Sequence, residues 1–236
     1  PGTEIDENLI SPRLDMRYLH NDRWTSRLSA GRGYRAPLSF FETDHGLLDS
    51  GDGFLIDVDE LERSISTTYA LSFEGEKLTS TFSIAYTEVE NLASLDETVA
   101  GVPVLTQLNQ TADVAMADLA LTYQFSEAFT ASLILETYNY DDNFKASYTS
   151  APIEDRITLS ADYDINGWEL VANVVWFGSR DLTDFGYEAF NRVDSVGNVV
   201  EGSRKTTDAP SFFTVDFKVQ KQLSDNLSVY LGASNL

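Results

Sequence analysis

The sequence predicts an all-β protein. It reads as an antiparallel up-and-down meander of about ten long strands, forming part of a transmembrane β-barrel as an open curved sheet. Three observations predict it. Apolar and polar residues alternate at period two almost from end to end, and no stretch holds a 3.6-residue period. Tight turns and long links alternate along the chain without exception, the layout of a membrane barrel with short turns at one end and long loops at the other. The apolar parity also carries aromatic residues beside the tight turns, where amphipathic rings sit at a membrane interface.

The strands follow in pairs. The first pair spans about 13–20 and 24–34 around Asn21-Asp22, with Leu14, Met16 and Tyr18 facing Trp24, Leu28 and Ala30. After a link at about 37–61 come 62–74 and 77–89, turning at Gly75-Glu76, with Tyr69, Leu71 and Phe73 on the parity of Phe82, Ile84 and Tyr86. A second link, 90–112, leads to 113–125 and 128–139 around Ser126-Glu127. There Leu119, Leu121, Tyr123 and Phe125 share a face with Phe129, Ala131, Leu133 and Leu135. Beyond the link 140–153, strands 154–164 and 167–178 turn at Asn166-Gly167 and align Ile157, Leu159 and Tyr163 with Trp168, Leu170, Val174 and Trp176. The last link, 179–210, precedes 211–222 and 227–235, joined by Ser224-Asp225-Asn226. The turn residues are those that tolerate positive φ or hydrogen-bond their own backbone.

The other parity decides which face meets which solvent. It carries Arg13, Asp15, Arg17, Arg27, Asp118 and Glu136, then Arg156, Asp162, Glu169, Asn173, Asp216 and Lys218. An Arg or Lys held at mid-membrane against lipid costs roughly 2–4 kcal/mol, so the apolar face is the outer one. A soluble sheet with one dry face shows the same alternation. Against it stand the girdle of Tyr18, Trp24, Phe73, Phe125, Phe129, Tyr163 and Trp168, and strand lengths suited to a tilted membrane crossing.

Composition narrows the function classes. The chain has 236 residues, 16 Lys+Arg against 38 Asp+Glu and a net charge of −22, which argues against nucleic acid as a partner. At 42% apolar and 12% aromatic it folds and is no acidic disordered tail. There is no cysteine, hence no disulfide framework or Cys-ligated metal, and only two histidines. No apolar run reaches the roughly 18–20 residues of a spanning helix. The best, Leu170 to Gly178, is interrupted by Asn173. A chain that begins at Pro1 without a signal peptide reads as a processed product or a piece of a longer one.

The run from Ile10-Ser11-Pro12-Arg13-Leu14 to Gly31-Arg32-Gly33-Tyr34-Arg35-Ala36-Pro37 resembles the barrel domain of TonB-dependent outer-membrane receptors. Glu62-Arg63-Ser64 with its hairpin to Asn91-Leu92, and the closing Gly232-Ala233-Ser234-Asn235-Leu236, are similar to later parts of that pattern. Two departures stand out: Asp57-Val58-Asp59-Glu60-Leu61 replaces an Asn-Pro box, and the aromatic-ended terminal strand does not appear. The resemblance implies a barrel of about 22 strands with a plugged lumen, of which this chain is expected to supply roughly strands 12 to 21. On that expectation residues 1–236 are one partial barrel domain, with the plug, the first half of the barrel and the last strand lying outside it.

Candidate contact residues follow. Gly31, Gly33 and Arg35 continue the inward parity of Arg27, and glycine in a strand permits close approach of another backbone. Arg35 offers a planar bidentate donor to plug carboxylates or an anionic ligand, or alternatively belongs to an ion-pair network in the wall. The parity points Arg32 and Tyr34 outward, Tyr34 to the upper aromatic belt, although Tyr34 is also a candidate contact at the mouth. Phe40 and Phe41 stack on a flat ligand or simply fold the loop. His45 sits where haem receptors of the family carry a histidine, but without the accompanying box it also reads as a solvated loop residue. Asp49, Asp52, Asp57 and Asp59 lie in an acidic link without Lys or Arg and are weak calcium candidates, lacking EF-hand spacing. A serine hydrolase would need His45, Asp44 and Ser39 on one flexible loop without rigid support, so no enzyme activity or cofactor is expected.

The expected function is the barrel segment of an active transporter for a scarce nutrient such as an iron chelate or cobalamin. The partners that the resemblance implies are outer-membrane lipid, the receptor's own plug, the inner-membrane TonB complex and a small-molecule ligand, in the outer membrane of a Gram-negative bacterium. The alternative class is a passive porin or structural barrel.

Overall fold

The computed structural model describes residues 9–35, 55–99, 102–147, 151–185, 194–198, 200 and 207–236. In chain order the elements are β1 (Arg13–Leu19), β2 (Trp24–Arg35), β3 (Leu55–Ile56), β4 (Glu62–Glu74), β5 (Leu78–Glu90), β6 (Ala93–Val99) and β7 (Val102–Gln107). Then follow β8 (Ala112–Gln124), β9 (Phe129–Tyr140), helix α1 (Asp142–Ser147), β10 (Asp155–Ile165) and β11 (Trp168–Phe177). The last are β12 (Arg180–Asp181), a 3-10 turn (Leu182–Phe185), β13 (Asp208–Ala209), β14 (Phe212–Ser224) and β15 (Leu227–Ala233).

Ten of these strands form one sheet in the order β1-β2-β4-β5-β8-β9-β10-β11-β14-β15, and these are the ten segments with period-two alternation. Each pairs antiparallel with its neighbours, and the sheet is open rather than closed into a barrel. The turns work as their residues dictate. Asn21 Oδ1 accepts from the amides of Arg23 (2.9 Å) and Trp24 (3.0 Å), and Asn166 and Gly167 take φ of 53° and 72°, the two-residue turn that matches strand twist.

The registers fix the two faces. Leu71, Phe82, Leu119, Leu135, Ile157, Trp176 and Phe213 lie opposite one another in an unbroken row across seven strands. Ser29, Thr68 and Ala85 line the other face, as do Ser83, Asp118, Glu136 and Arg156. Trp24, Phe129 and Trp168 fall on the apolar face at the short-turn end, and Arg27, Arg156 and Glu169 on the polar one, as the alternation requires. At the short-turn edge the rings touch: Trp24 with Phe73 at 5.0 Å, Phe125 with Phe129 at 5.1 Å and Phe129 with Tyr163 at 6.3 Å. Lys221 reaches the apolar face there and places Nζ 4.9 Å over the Trp168 ring, its ammonium donating to Asn166 O at 2.7 Å.

No second layer covers the apolar face among the described residues. Leu159 is 52% exposed and Phe213 65%. A soluble domain buries such a surface against another layer, and a patch of this extent marks contact with lipid or protein.

The long links hold structure that the alternation did not disclose. β3 pairs parallel to β7 and β7 antiparallel to β6, making a small sheet from the first two links. The third carries α1, so helix is not wholly absent; Asp141 Oδ1 caps it by accepting from Phe144 N at 2.7 Å. Six residues are too few for a helical period to register in the sequence.

Candidate functional site

The polar face pairs its groups across the strands. Hydroxyls meet at Ser66–Thr87 (2.9 Å), Ser72–Thr81 (3.1 Å) and Thr122–Ser132 (2.9 Å). Charges meet at Lys218–Glu169 (3.1 Å) and Arg156–Glu136, where Nε and Nη2 each donate at 2.6 Å.

At the long-loop end this face changes character. Val89 stands opposite Ala112 and Val114 opposite Tyr140, all on the otherwise polar side. Leu92 and Phe144 close over Ala112, with Leu108 beside them, in a small apolar core. β5, β8 and β9 thus supply the seat, and α1 brings the Phe144 ring down onto it, 5.1 Å from Tyr140. Next to this core lies a cavity of about 290 Å³ lined by Gly33, Arg35, Glu62, Val89, Leu92 and Phe144. Arg35 is opposite Glu62 in the β2–β4 register and donates from Nε to its Oε2 at 2.5 Å. Glu62 is 3% exposed, and its other oxygen accepts from Ala93 N at 3.0 Å, which ties β6 to the wall. The Arg35 side chain remains 49% exposed. Gly33 keeps this wall bare, since a Cβ there would stand 2.8 Å from Ser64 Oγ. A half-exposed guanidinium beside a bare strand and an apolar wall can hold an anionic group attached to an apolar body.

Gln107, the last residue of β7, anchors the small sheet over this mouth. Its carbonyl accepts from the amides of Asp59 (3.1 Å) and Glu60 (3.0 Å), and its amide donates to Glu60 O (2.8 Å) and Asn91 O (3.0 Å). Lys145 of α1 ties its own link to the last one, 3.3 Å from Glu154 just before β10 and 3.4 Å from Asp184 in the 3-10 turn, with Nζ 5.3 Å from the Phe185 ring. Burial opposes its charge, but the two carboxylates outweigh that and raise its pKa.

Arg35 and Arg27 both lie on the polar face, Arg35 at the mouth and Arg27 toward the short turns. No bulge flips the register at Gly31 or Gly33. Tyr34 has the opposite parity, its hydroxyl donating to Ile10 O at 3.2 Å, yet the residue lines the same cavity as Arg35. Phe40, Phe41, His45, Asp49 and Asp52 fall outside the described residues. Asp57 N donates to Leu105 O at 2.8 Å, completing the β3–β7 edge, and among the described residues no three Asp, Glu or His converge to hold a metal. Sequence reasoning missed Glu62, Phe144 and Gln107; the Val89 and Val114 side chains on the polar parity were the available signal.

A single sheet, apolar on one side and polar with a cavity at one rim on the other, is a wall of a membrane β-barrel. The chain belongs to the TonB-dependent receptor family: the family model for the TonB dependent receptor-like β-barrel matches residues 2–236. Members are outer-membrane receptors of Gram-negative bacteria that bind small molecules such as siderophores, and they are transporters rather than enzymes. No curated protein matches the chain. Among solved structures it is similar to the copper transporter OprC (TM-score 0.66, 14% identity, 95% of this chain and 33% of that one). It is similar also to the FrpB iron transporter from Neisseria meningitidis (0.64, 14%, 95% and 34%). A third is the siderophore receptor PirA from Pseudomonas aeruginosa (0.61, 15%, 96% and 36%). The chain spans about a third of the length of these structures.

Proposed function

We propose that the chain is a barrel segment of an active transporter that captures a scarce nutrient, an iron chelate, cobalamin or a similar compound, and imports it with energy delivered through TonB. The cavity at the long-loop rim carries this reading, because it sets the exposed Arg35 guanidinium against the apolar wall of Leu92 and Phe144. A copper transporter, an iron transporter and a siderophore receptor among the structural neighbours favour a metal ion or metal chelate as cargo. Arg35 then holds the ligand or the plug, with Glu62 fixing its position.

The test is uptake by the full-length receptor in energised cells, with ferric chelates and cobalamin offered singly. One of them should accumulate, accumulation should cease without TonB, and Arg35→Ala should lower it at normal surface abundance. Accumulation that persists without TonB would make the protein a passive pore, and normal uptake by the variant would reduce Arg35 to a wall residue.

A further inference from the structure

We propose that Arg17 and Arg27 form a two-guanidinium clamp for an oxyanion, a carboxylate or phosphate group, on the inner face toward its short-turn end. Arg17 on β1 stands directly opposite Arg27 on β2. Side chains so placed have Cβ atoms about 4.5–5.5 Å apart, and like charges there repel. Elsewhere on this face the cations have carboxylate partners: Arg13 with Asp15, Arg35 with Glu62, Arg156 with Glu136 and Lys218 with Glu169. Among the described residues Arg17 and Arg27 make no ion pair or side-chain hydrogen bond.

Asp15, the next acid along the same face of β1, is already committed. Its oxygens take Arg13 Nε at 2.8 Å, Arg13 Nη2 at 3.2 Å and Ser29 Oγ at 2.7 Å. The surroundings leave room for a guest. Arg27 faces Ala70 on β4 and is flanked by Thr25 and Ser29 on its own strand. Two exposed cationic side chains therefore rise from a floor of short ones, in a chain whose net charge is −22. Two planar guanidiniums side by side present parallel N–H donors to the oxygens of one anionic group, and that group cancels their mutual repulsion.

The inference rests on this face lining the barrel interior and is independent of which nutrient is carried. The anion has two sources, a free solute or a carboxylate of the receptor's own polypeptide, and one experiment separates them. Thermal melting of the full-length receptor in detergent is followed in sodium phosphate and in sodium chloride of equal ionic strength. The proteins compared are wild type, Arg17→Gln, Arg27→Gln and the double variant. If the site takes a free anion, phosphate raises the melting temperature of wild type above its value in chloride, and either substitution abolishes the increment. With an internal carboxylate in place, phosphate has no special effect, each single variant melts lower, and the double variant melts no lower than the worse single one. Singles that melt higher than wild type or unchanged, without phosphate selectivity, would overturn the clamp and leave a merely repulsive pair. Should the glutamine variants fail to assemble, Arg17→Lys and Arg27→Lys keep the charge while losing the planar fork. In them the phosphate increment should shrink, or the melting temperature should fall according to the source; a value equal to wild type in both salts would overturn the proposal. Nutrient uptake is measured separately, so failure of the transport reading does not pass for failure of the clamp.

Discussion

Arg156 and Glu136 face each other across β9 and β10 and meet in a parallel fork, both nitrogen–oxygen distances being 2.6 Å. Asp118 stands opposite Glu136 on the other side, so Arg156 is the cation that lets two carboxylates share one stretch of wall. Removing Arg156 should therefore cost more than removing Glu136. A double-mutant cycle with Arg156→Met and Glu136→Gln, read by urea unfolding in lipid vesicles, should give a coupling of roughly 0.5–3 kcal/mol. Strict additivity would mean that the fork is not formed in the membrane.

Sidedness has a direct test in neighbouring residues. Leu159 belongs to the apolar row and Ser160 to the polar one, where its hydroxyl donates to Asn173 Oδ1 at 3.0 Å. Leu159→Arg should destabilise the full-length barrel by about 2–4 kcal/mol near mid-membrane. Ser160→Arg, pointing into the aqueous interior, should cost well under half of that. Equal losses would reverse the assignment of the faces.

Gln107 makes four hydrogen bonds that hold the small sheet against the rim. Gln107→Ala should cost about 1–2 kcal/mol locally while leaving the ten-stranded wall intact. Hydrogen exchange reads the difference: the amides of Asp57 and Leu108, which bond Leu105 O and Leu92 O, should exchange faster, and those of β9 and β10 should not. Uniform acceleration would show that the small sheet and the wall are one cooperative unit.

In the last long link, Asp194 Oδ1 accepts from the backbone amides of Asn198 and Val196, both at 2.9 Å. The hydrogen bonds from Asn198, backbone first and then side chain, together with that from Val196, lower the Asp194 pKa. A carboxyl with a depressed folded pKa contributes stability that is complete above its unfolded value, about 3.9, and is lost as pH falls through the lower folded value. Exchange at the Asn198 amide should accordingly gain an extra protection loss on acidification, and Asp194→Asn should abolish that pH dependence. An unchanged profile in the variant would remove Asp194 from the turn's titration.

The wall was legible in the sequence because a strand that meets lipid on one side and water on the other must alternate, and its tight turns fix the register of each hairpin. Arg35 could be assigned to the inner face by counting from Arg27. Its partner could not, because β2 and β4 are joined through 36–61, and a link of that length leaves the register of Arg35 against Glu62 open. Phe144 and Gln107 were hidden for a similar reason. Phe144 rides on a six-residue helix, too short to carry a period of its own, and Gln107 ends β7, whose bonds to Asp59, Glu60 and Asn91 depend on how two separate links come to rest on each other.

The parallel pairing of Leu55 with Val104 also sets an order in time. Each hairpin of the wall closes over a turn of a few residues, whereas β3 and β7 meet only across the intervening β4–β5 hairpin and β6. Contacts so far apart along the chain form slowly, because the loop must be ordered before they contribute. Each hairpin can therefore close by itself, whereas the mouth, like the seams between hairpins such as Trp24 with Phe73 and Trp168 with Lys221, takes its final shape only once distant parts of the chain have met.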